Sequence, residues 1–180
     1  MTDVVVTTHR TIDAVQALSV RELAGAFDTA TVYGVDASEQ GFVLAEQKLV
    51  PPLHKQYPQS DVSAGETRWD LVVLASAQGE TVGMAATTFS EWNRRQVLDE
   101  LHVAPTWRRK GVARRLIAAV FGEAARNQAR EVWLETQNVN FPAIQAYRRL
   151  GFRITGLDTT FYDGPADAEV AIFMSSPLHP

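Results

Sequence analysis

The sequence predicts one α/β or α+β domain, residues 1–180, with a mixed, mostly antiparallel sheet flanked by helices. Three observations predict it. The length of 180 residues and the hydrophobic content of 46% suit one packed domain. Short strand-like runs and segments of helical period alternate in the order β, α, a β-meander, then α, β, α, β, β. Long-period repeats are absent from the sequence.

The first half of the chain is dominated by strand signals. VVVTT opens with a short strand, and residues 13–27 have a moderately helical apolar spacing at Val15, Leu18, Leu23 and Phe27. Residues 41–58 indicate a strand followed by a proline-broken loop, and QSDVSAGE (59–66) resembles a linker.

The meander consists of three further runs. WDLVVLAS (69–76) and ETVGMAATTF (80–89) flank the turn Gln78-Gly79, which predicts a hairpin, and QVLDELHV (96–103) predicts a third strand.

Helical and strand patterns alternate in the second half. The segment 112–129 carries an apolar stripe, which comprises Val112, Leu116, Val120 and Ala124, broadened by Ile117 and Phe121. EVWLETQ (131–137) predicts a strand. In the next helix, Asn140 is a suitable N-cap, Pro142 falls in the first turn and Gly151 suits the C′ position. Residues 152–162 and 168–175 predict a final strand pair.

Composition excludes several classes of protein. The net charge of −4, from 17 Lys+Arg against 21 Asp+Glu, argues against nucleic acid as the main partner, because duplex binding needs a broad basic face. An apolar run long enough to span a bilayer and a signal-peptide pattern are both missing, so we expect a cytoplasmic protein without membrane attachment. The lack of cysteine excludes disulfides, and the four scattered histidines suggest no metal site.

The segment RRKGVARRL (108–116) is a dense basic cluster in this acidic chain. It contains Arg108-x-x-Gly111-x-Ala113 after a predicted strand and at the start of a predicted helix. Small residues at 111 and 113 let the backbone approach a ligand, and the N–H groups of the first turn point at an anion. A diphosphate fits this pattern, although from spacing alone a solvated basic helix start is equally consistent. Walker and GxGxxG patterns are absent.

This arrangement resembles the acetyl-CoA cradle of the GNAT acetyltransferases, whose motif is (Arg/Gln)-x-x-Gly-x-(Gly/Ala). A second motif of that family follows about thirty residues later as Asn140-x-x-Ala143-x-x-Ala146-Tyr147-x-x-x-Gly151-Phe152. The resemblance implies the GNAT fold and acetyl-CoA as co-substrate. It departs mildly in having Arg109 and Ala113 where glycine is more frequent. The cofactor-binding residues that it implies are Leu101, His102, Val103, Arg108, Arg109, Lys110, Gly111, Val112, Ala113, Arg114, Asn140, Ala143 and Tyr147.

A closer resemblance, to the streptothricin acetyltransferases, covers most of the chain. Its discriminating parts are SEWNRR (90–95) and GLDTTFYDG (156–164), supported by FDTATVYGV (27–35), GFVLAE (41–46) and PPLHKQYP (51–58). It implies acetylation of an amine of the antibiotic's β-lysine arm, and hence resistance. The alternatives are a GNAT enzyme that acts on another small amine or a protein amine, and a non-catalytic acetyl-CoA-binding regulator. A homodimer is compatible with the sequence.

An alkyl amine arrives as an ammonium, with a pKa of about 10.4, and must lose a proton before it attacks a thioester. Glu135 and Glu100 are equally ranked candidates for the base, and Asp99 comes third. In strand 96–103, simple alternation puts Leu98, Glu100 and His102 on one face. The resemblance assigns Tyr147 as the group that protonates the leaving sulfur, although a core tyrosine would have the same spacing.

A polycationic substrate favours acidic and aromatic residues in its binding site. The candidates lie in the two discriminating segments, and each could also be an ordinary loop residue. They are Glu91, Trp92, Asp158, Tyr162 and Asp163.

Overall fold

The structure, a computed structural model, describes residues 3–23, 25–57, 68–163 and 169–178. These residues form two compact units. The first comprises described residues within Met1–Gly25, Tyr57–Trp133 and Pro177–Pro180, and the second those within Ala26–Gln56 and Leu134–Ser176. The predicted linker at 59–66 lies outside the described residues.

Helices and strands alternate much as the sequence predicts. The strands are β1 (Val5–His9), β2 (Ala26–Ser38), β3 (Gly41–Gln56), β4 (Leu71–Ala77), β5 (Glu80–Ser90), β6 (Arg95–Val103), β7 (Glu131–Gln137), β8 (Arg153–Asp158) and β9 (Ala171–Pro177). The helices are α1 (Ala14–Arg21), α2 (Val112–Arg126) and α3 (Phe141–Arg149), with a 3₁₀ turn at Pro105–Trp107. The α+β class is confirmed.

In the first unit, β1, β4, β5 and β6 pair in that order, and every pairing is antiparallel. The predicted hairpin between β4 and β5 is confirmed. Its turn residues Gln78 and Gly79 have φ of +54° and +83°. Positive φ at both central positions matches the twist of the flanking strands.

The α2 stripe packs on this sheet as predicted, with Val112, Leu116, Val120 and Ala124 all buried. The helix approaches β5 closely at Gly83. A Cβ there would lie 3.0 Å from Val112 Cγ1 and 3.2 Å from Leu116 Cδ1. Glycine therefore makes room for the first turns of α2 against the sheet.

The prediction for α1 was partly wrong. The helix ends at Arg21, and Phe27 belongs to β2. Val15 and Leu18 are 73% and 60% exposed, whereas Ala17 and Val20 face the core. The helix start is fixed by a capping box, in which Asp13 accepts from the Gln16 N–H and the Gln16 side chain accepts from the Asp13 N–H.

The second unit contains a hairpin that the sequence analysis missed. β2 was not predicted, and β3 continues through Pro51 and Pro52 to Gln56 instead of breaking into a loop. The register shifts between Thr29 and Thr31, where the β3 partners jump from Leu53 to Lys48. Residues 49–52 therefore stand opposite Ala30 alone, which gives β3 three extra residues and lets the strand accommodate two prolines.

The second motif lies in this unit, where β7, β9 and β8 are neighbours in that order. The predicted caps of α3 are confirmed. Asn140 Oδ1 accepts from the Ala143 N–H at 3.2 Å, and Gly151, with φ of +97°, follows the C-cap Leu150. The predicted strands at 152–162 and 168–175 are present but shorter, at 153–158 and 171–177.

None of the three helices, over the part of the chain that the structure describes, is long and apolar enough to cross a membrane. Within the same residues, His, Asp and Glu side chains do not gather in groups of three that could hold a metal ion.

Candidate active site

The basic segment forms the connection between β6 and α2. The 3₁₀ turn is closed by a bond from the Trp107 N–H to the Ala104 carbonyl at 2.8 Å. The chain then passes through two residues in the left-handed region, Arg109 with φ of +62° and Gly111 with φ of +83°. The N-cap of α2 is Gly111, and no side chain caps the helix. The first-turn N–H groups of a 15-residue helix thus have no intrahelical acceptor.

Charged side chains surround this helix start. Arg109, Lys110 and Arg114 are exposed, and Lys110 Nζ lies 5.1 Å from the centroid of the Trp107 ring. Arg108 behaves differently, because its Nε donates to the Val103 carbonyl at 3.2 Å. Arg108 therefore also ties the loop to the end of β6. The helix dipole, the N–H groups and the mobile cations together make this helix start suited to bind an anion.

Two of the predicted acids lie on β6, where the strand is irregular. Leu98 pairs with Thr87 and Glu100 with Ala86, so Asp99 is an extra residue. This β-bulge interrupts the simple alternation that the sequence analysis assumed. Glu100 and His102 still share a face, since Glu100 Oε2 and His102 Nε2 lie 2.7 Å apart.

Asp99 is exposed as a residue, but its carboxyl is enclosed at the bulge. Thr88 Oγ1 donates to it at 2.9 Å. Burial raises the pKa of Asp99 to about 6, against the lowering effect of the Thr88 hydrogen bond. Glu100 and Asp70 raise this pKa further, and Arg68 lowers it.

The third predicted acid, Glu135, belongs to the second unit. It accepts a hydrogen bond from the Tyr162 hydroxyl. Burial raises the pKa of the Glu135 carboxyl; the Tyr162 bond opposes this rise, and the charges of Glu169 and Lys55 act in opposite directions. Burial and the neighbouring Glu135 also raise the pKa of Tyr162. A carboxylate with a raised pKa beside a phenol is suited to accept a proton.

Lys55 and Glu169 lie beside Glu135 and Tyr162 and form an acidic cluster with them. Neither residue was among those predicted from the sequence. Lys55 Nζ donates to both carboxylate oxygens of Glu169. The pair is separated by 114 residues, so no local pattern signals it. It places an alkylammonium close enough to Glu135 for their charges to interact.

Tyr147 lies on α3, half-buried, with its ring edge-to-face against Phe152 at 5.7 Å between centroids. Tyr33 holds the helix in place. Its hydroxyl accepts from Gln145 Nε2 at 3.1 Å and from Arg148 Nη1 at 2.7 Å, and its backbone bonds to Asn138 through both its N–H and its carbonyl. Tyr147 therefore stands on a helix anchored on both sides of its position.

The other predicted substrate residues are placed differently. Asp158 Oδ1 accepts from the backbone N–H and the hydroxyl of Thr160, and these bonds lower the pKa of Asp158. The same bonds give Asp158 a structural role in the turn that follows β8. Glu91 and Asp163 are exposed. Trp92, 88% exposed, lines a cleft of about 440 Å³ with Asn93, Arg94, Arg95 and Arg130, which we call the arginine cleft. Its positive charge disfavours a cationic substrate.

Comparison with known proteins shows the family of this chain. Residues 42–152 match the model of the acetyltransferase (GNAT) family. The chain belongs to the GNAT family. It is an acetyl-CoA-dependent N-acetyltransferase, and its two motifs lie at the start of α2 and over α3.

Similar GNAT proteins include two streptothricin acetyltransferases. That of Streptomyces lavendulae is 40% identical over 169 residues, which are 89% of each chain. Streptothricin acetyltransferase A of Bacillus subtilis is 30% identical over 77% of this chain and 82% of the relative. A crystal structure of nourseothricin acetyltransferase aligns with a TM-score of 0.83 at 39% identity, over 96% of this chain and 98% of that one.

The GNAT cradle fits a diphosphate on the geometry of this chain. A Cβ built at Gly111 has no heavy atom within 4 Å, so the space above the helix start is open to a ligand. The residues suited to hold the diphosphate are the first-turn backbone of α2 with Arg109, Lys110 and Arg114.

Gly111→Ala is expected to weaken acetyl-CoA binding about tenfold or more, because its methyl group enters the open space and strains the left-handed backbone. Gly79→Ala is a matched control, since Gly79 has the same φ of +83° and equally open surroundings in the β4–β5 turn. Both variants should lose about 1 kcal/mol of unfolding free energy. Calorimetric titration with acetyl-CoA checks this, and equal affinities in the two variants would contradict the assignment.

Asp99→Asn is expected to remove a pH-dependent destabilisation. The folded state keeps the Asp99 proton up to about pH 6, whereas the unfolded chain releases it near 3.8, so the wild type loses stability as pH rises between these values. Over this interval the free energy of unfolding of the variant should rise relative to that of the wild type. The difference should reach on the order of 1 kcal/mol at pH 7, after allowance for solvent screening. Urea unfolding at pH 4, 5, 6 and 7 measures it. The control is Asp36→Asn, which changes an exposed residue of β2; a constant offset between Asp99→Asn and wild type would refute the explanation.

Proposed function

We propose that this GNAT enzyme transfers the acetyl group of acetyl-CoA to an amine of the β-lysine arm of streptothricin. The observation that carries the proposal is the 40% identity over 89% of both chains with a streptothricin acetyltransferase. The acidic cluster of Glu135, Tyr162 and Glu169 supports it, because a polycationic amine needs carboxylates at its binding site.

Glu135 is the proposed base, with Glu100 and Asp99 as the alternatives on β6. Glu100 is already engaged with His102, and Asp99 is held by Thr88 at a bulge. Glu135 combines a raised pKa with a phenol partner and a neighbouring alkylammonium, the chemistry expected around a substrate amine. Tyr162 orients the Glu135 carboxylate through its hydrogen bond.

In the proposed reaction, Glu135 takes a proton from the substrate ammonium, directly or through water. The amine nitrogen then forms a bond to the acetyl carbonyl carbon, and the bond between that carbon and sulfur breaks. Tyr147 donates its hydroxyl proton to the leaving sulfur. The nitrogen loses two protons in all. One leaves to solvent through Glu135, and the other returns to the Tyr147 oxygen, which has given its own proton to the CoA sulfur.

The substrate assignment is tested with purified enzyme, acetyl-CoA and a panel of amines. Streptothricin is expected to be acetylated with a kcat/KM at least a hundredfold above that for free lysine, spermidine or a peptide with an N-terminal amine. Mass spectrometry of the product identifies the acetylated nitrogen. Turnover of the peptide amine without turnover of streptothricin would favour a protein N-acetyltransferase instead and would overturn the proposal.

Glu135→Gln is expected to lower kcat/KM for streptothricin by 10² to 10⁴, the usual contribution of a general base. In wild type, the rate should fall as pH drops through the pKa of Glu135, which lies above the ordinary glutamate value of 4.5, because only the carboxylate accepts a proton. This acid limb should be absent in the variant.

Glu46→Gln is the matched control, since it makes the same change at an exposed position of β3. Glu100→Gln and Asp99→Asn in the same assay test the alternative bases. If one of them removes the acid limb and Glu135→Gln does not, Glu135 is not the base.

Tyr147→Phe should lower kcat with little change in KM.

A further inference from the structure

The proposed reaction uses none of the arginine residues of the arginine cleft. It lies in the first unit, between the β5–β6 turn and the start of β7. The cradle and the cleft stand at opposite ends of β6, which begins at Arg95 and ends at Val103. Nine strand residues span about 26 Å, so the cleft is a separate place on the molecule.

Backbone bonds hold the lining of the cleft together. The Arg130 N–H donates to the Arg94 carbonyl at 2.8 Å, which joins the β5–β6 turn to the segment that follows α2. Arg94 has φ of +54°, a conformation that a non-glycine residue adopts at a cost. Its guanidinium donates from Nε and Nη2 to the Gln128 carbonyl. The backbone of the cleft is therefore held at Arg94 and Arg130, and the Arg94 side chain is held by the Gln128 carbonyl.

The cleft carries an excess of positive charge. Arg95 Nε and Arg130 Nη2 share one carboxylate oxygen of Glu131, at 2.7 and 3.1 Å, and the partner of Arg94 is a neutral carbonyl. The bonds named here thus give the three guanidinium groups of the cleft one carboxylate partner, in a chain whose net charge is −4. A guanidinium presents several donors in one plane, so donors of this cluster remain for the oxygens of a phosphate.

The cleft also offers contacts to a ring. The Trp92 indole is 88% exposed, an unusual position for a large aromatic side chain. Asn93 Oδ1 is buried and has no hydrogen-bond partner among the described residues.

We propose that the arginine cleft binds a nucleoside phosphate, with the phosphate on Arg94 and Arg130 and the base stacked on Trp92. Stacking on an indole and bonding to guanidinium groups are the usual means of recognising these two parts. This site is independent of the proposed acetyl transfer.

The test is calorimetric titration of the full chain with AMP, adenosine and inorganic phosphate at low salt. AMP should bind, and the two fragments should bind at least tenfold more weakly. Arg130→Gln should weaken AMP and phosphate binding about tenfold each, whereas Trp92→Leu should weaken AMP binding and leave phosphate binding unchanged. Arg153→Gln, at an exposed position of β8, is the control and should change none of them.

Gly111→Ala separates this site from the cradle. AMP affinity should be the same in this variant as in wild type, because the substituted residue lies at the other end of β6. AMP binding that falls in Gly111→Ala and not in Arg130→Gln would assign the nucleotide to the cradle and overturn the proposal. Equal affinity for AMP and phosphate, or no binding of AMP at millimolar concentration, would overturn it as well.

Discussion

The first turns of α2 pack on β5 at Gly83, and the geometry of the cradle depends on this contact. Val112 and Leu116 occupy the space that a side chain at position 83 would fill. Their burial fixes where α2 begins relative to the end of β6, and so fixes the short connection between them. Within that connection, Arg109 and Gly111 adopt left-handed backbone angles, which redirect the chain towards the start of α2. A displacement of α2 would redirect the N–H groups that the diphosphate requires.

The second unit relies on a different anchor. Tyr33, 3% exposed, contacts both the segment before α3, through Asn138, and the helix itself, through Gln145 and Arg148. The Phe141 ring packs against Tyr33 at 5.2 Å between centroids. Asn140 and Tyr147 thus owe their positions to a tyrosine that belongs to neither family motif. The position of Tyr147, the proposed proton donor, therefore depends on the residues that hold α3.

Positive and negative side chains cluster at different places in this acidic protein. Cations gather at the start of α2 and in the arginine cleft, whereas carboxylates gather around Tyr162 in the second unit. The first arrangement suits the phosphates of acetyl-CoA, and the last suits an ammonium. Lys55 resembles a substrate amine in its chemistry, since it places an alkylammonium between carboxylates that would otherwise repel each other. A low overall charge is thus compatible with local fields of opposite sign.

Much of the local structure around the candidate site was predictable from the sequence, because its signals are local. Arg108-x-x-Gly111-x-Ala113 specified a strand–loop–helix connection, and Asn140 with Gly151 specified the limits of α3. The turn at Gln78-Gly79 was likewise determined by the φ angles that those two residues tolerate. In each case the physical cause lies within a few residues of the pattern.

By itself, the sequence determined the family motifs, the α2 stripe and the caps, since helix period, capping and backbone tolerance act over one or two turns of chain. Only the tertiary structure decided that Val15 and Leu18 face solvent, that β3 continues past two prolines, and that Asp99 is an extra residue on β6. It also decided the partners of Glu135 and Lys55, which come from positions 27 and 114 residues away. Strand pairing and burial depend on such distant contacts, and no local pattern encodes them.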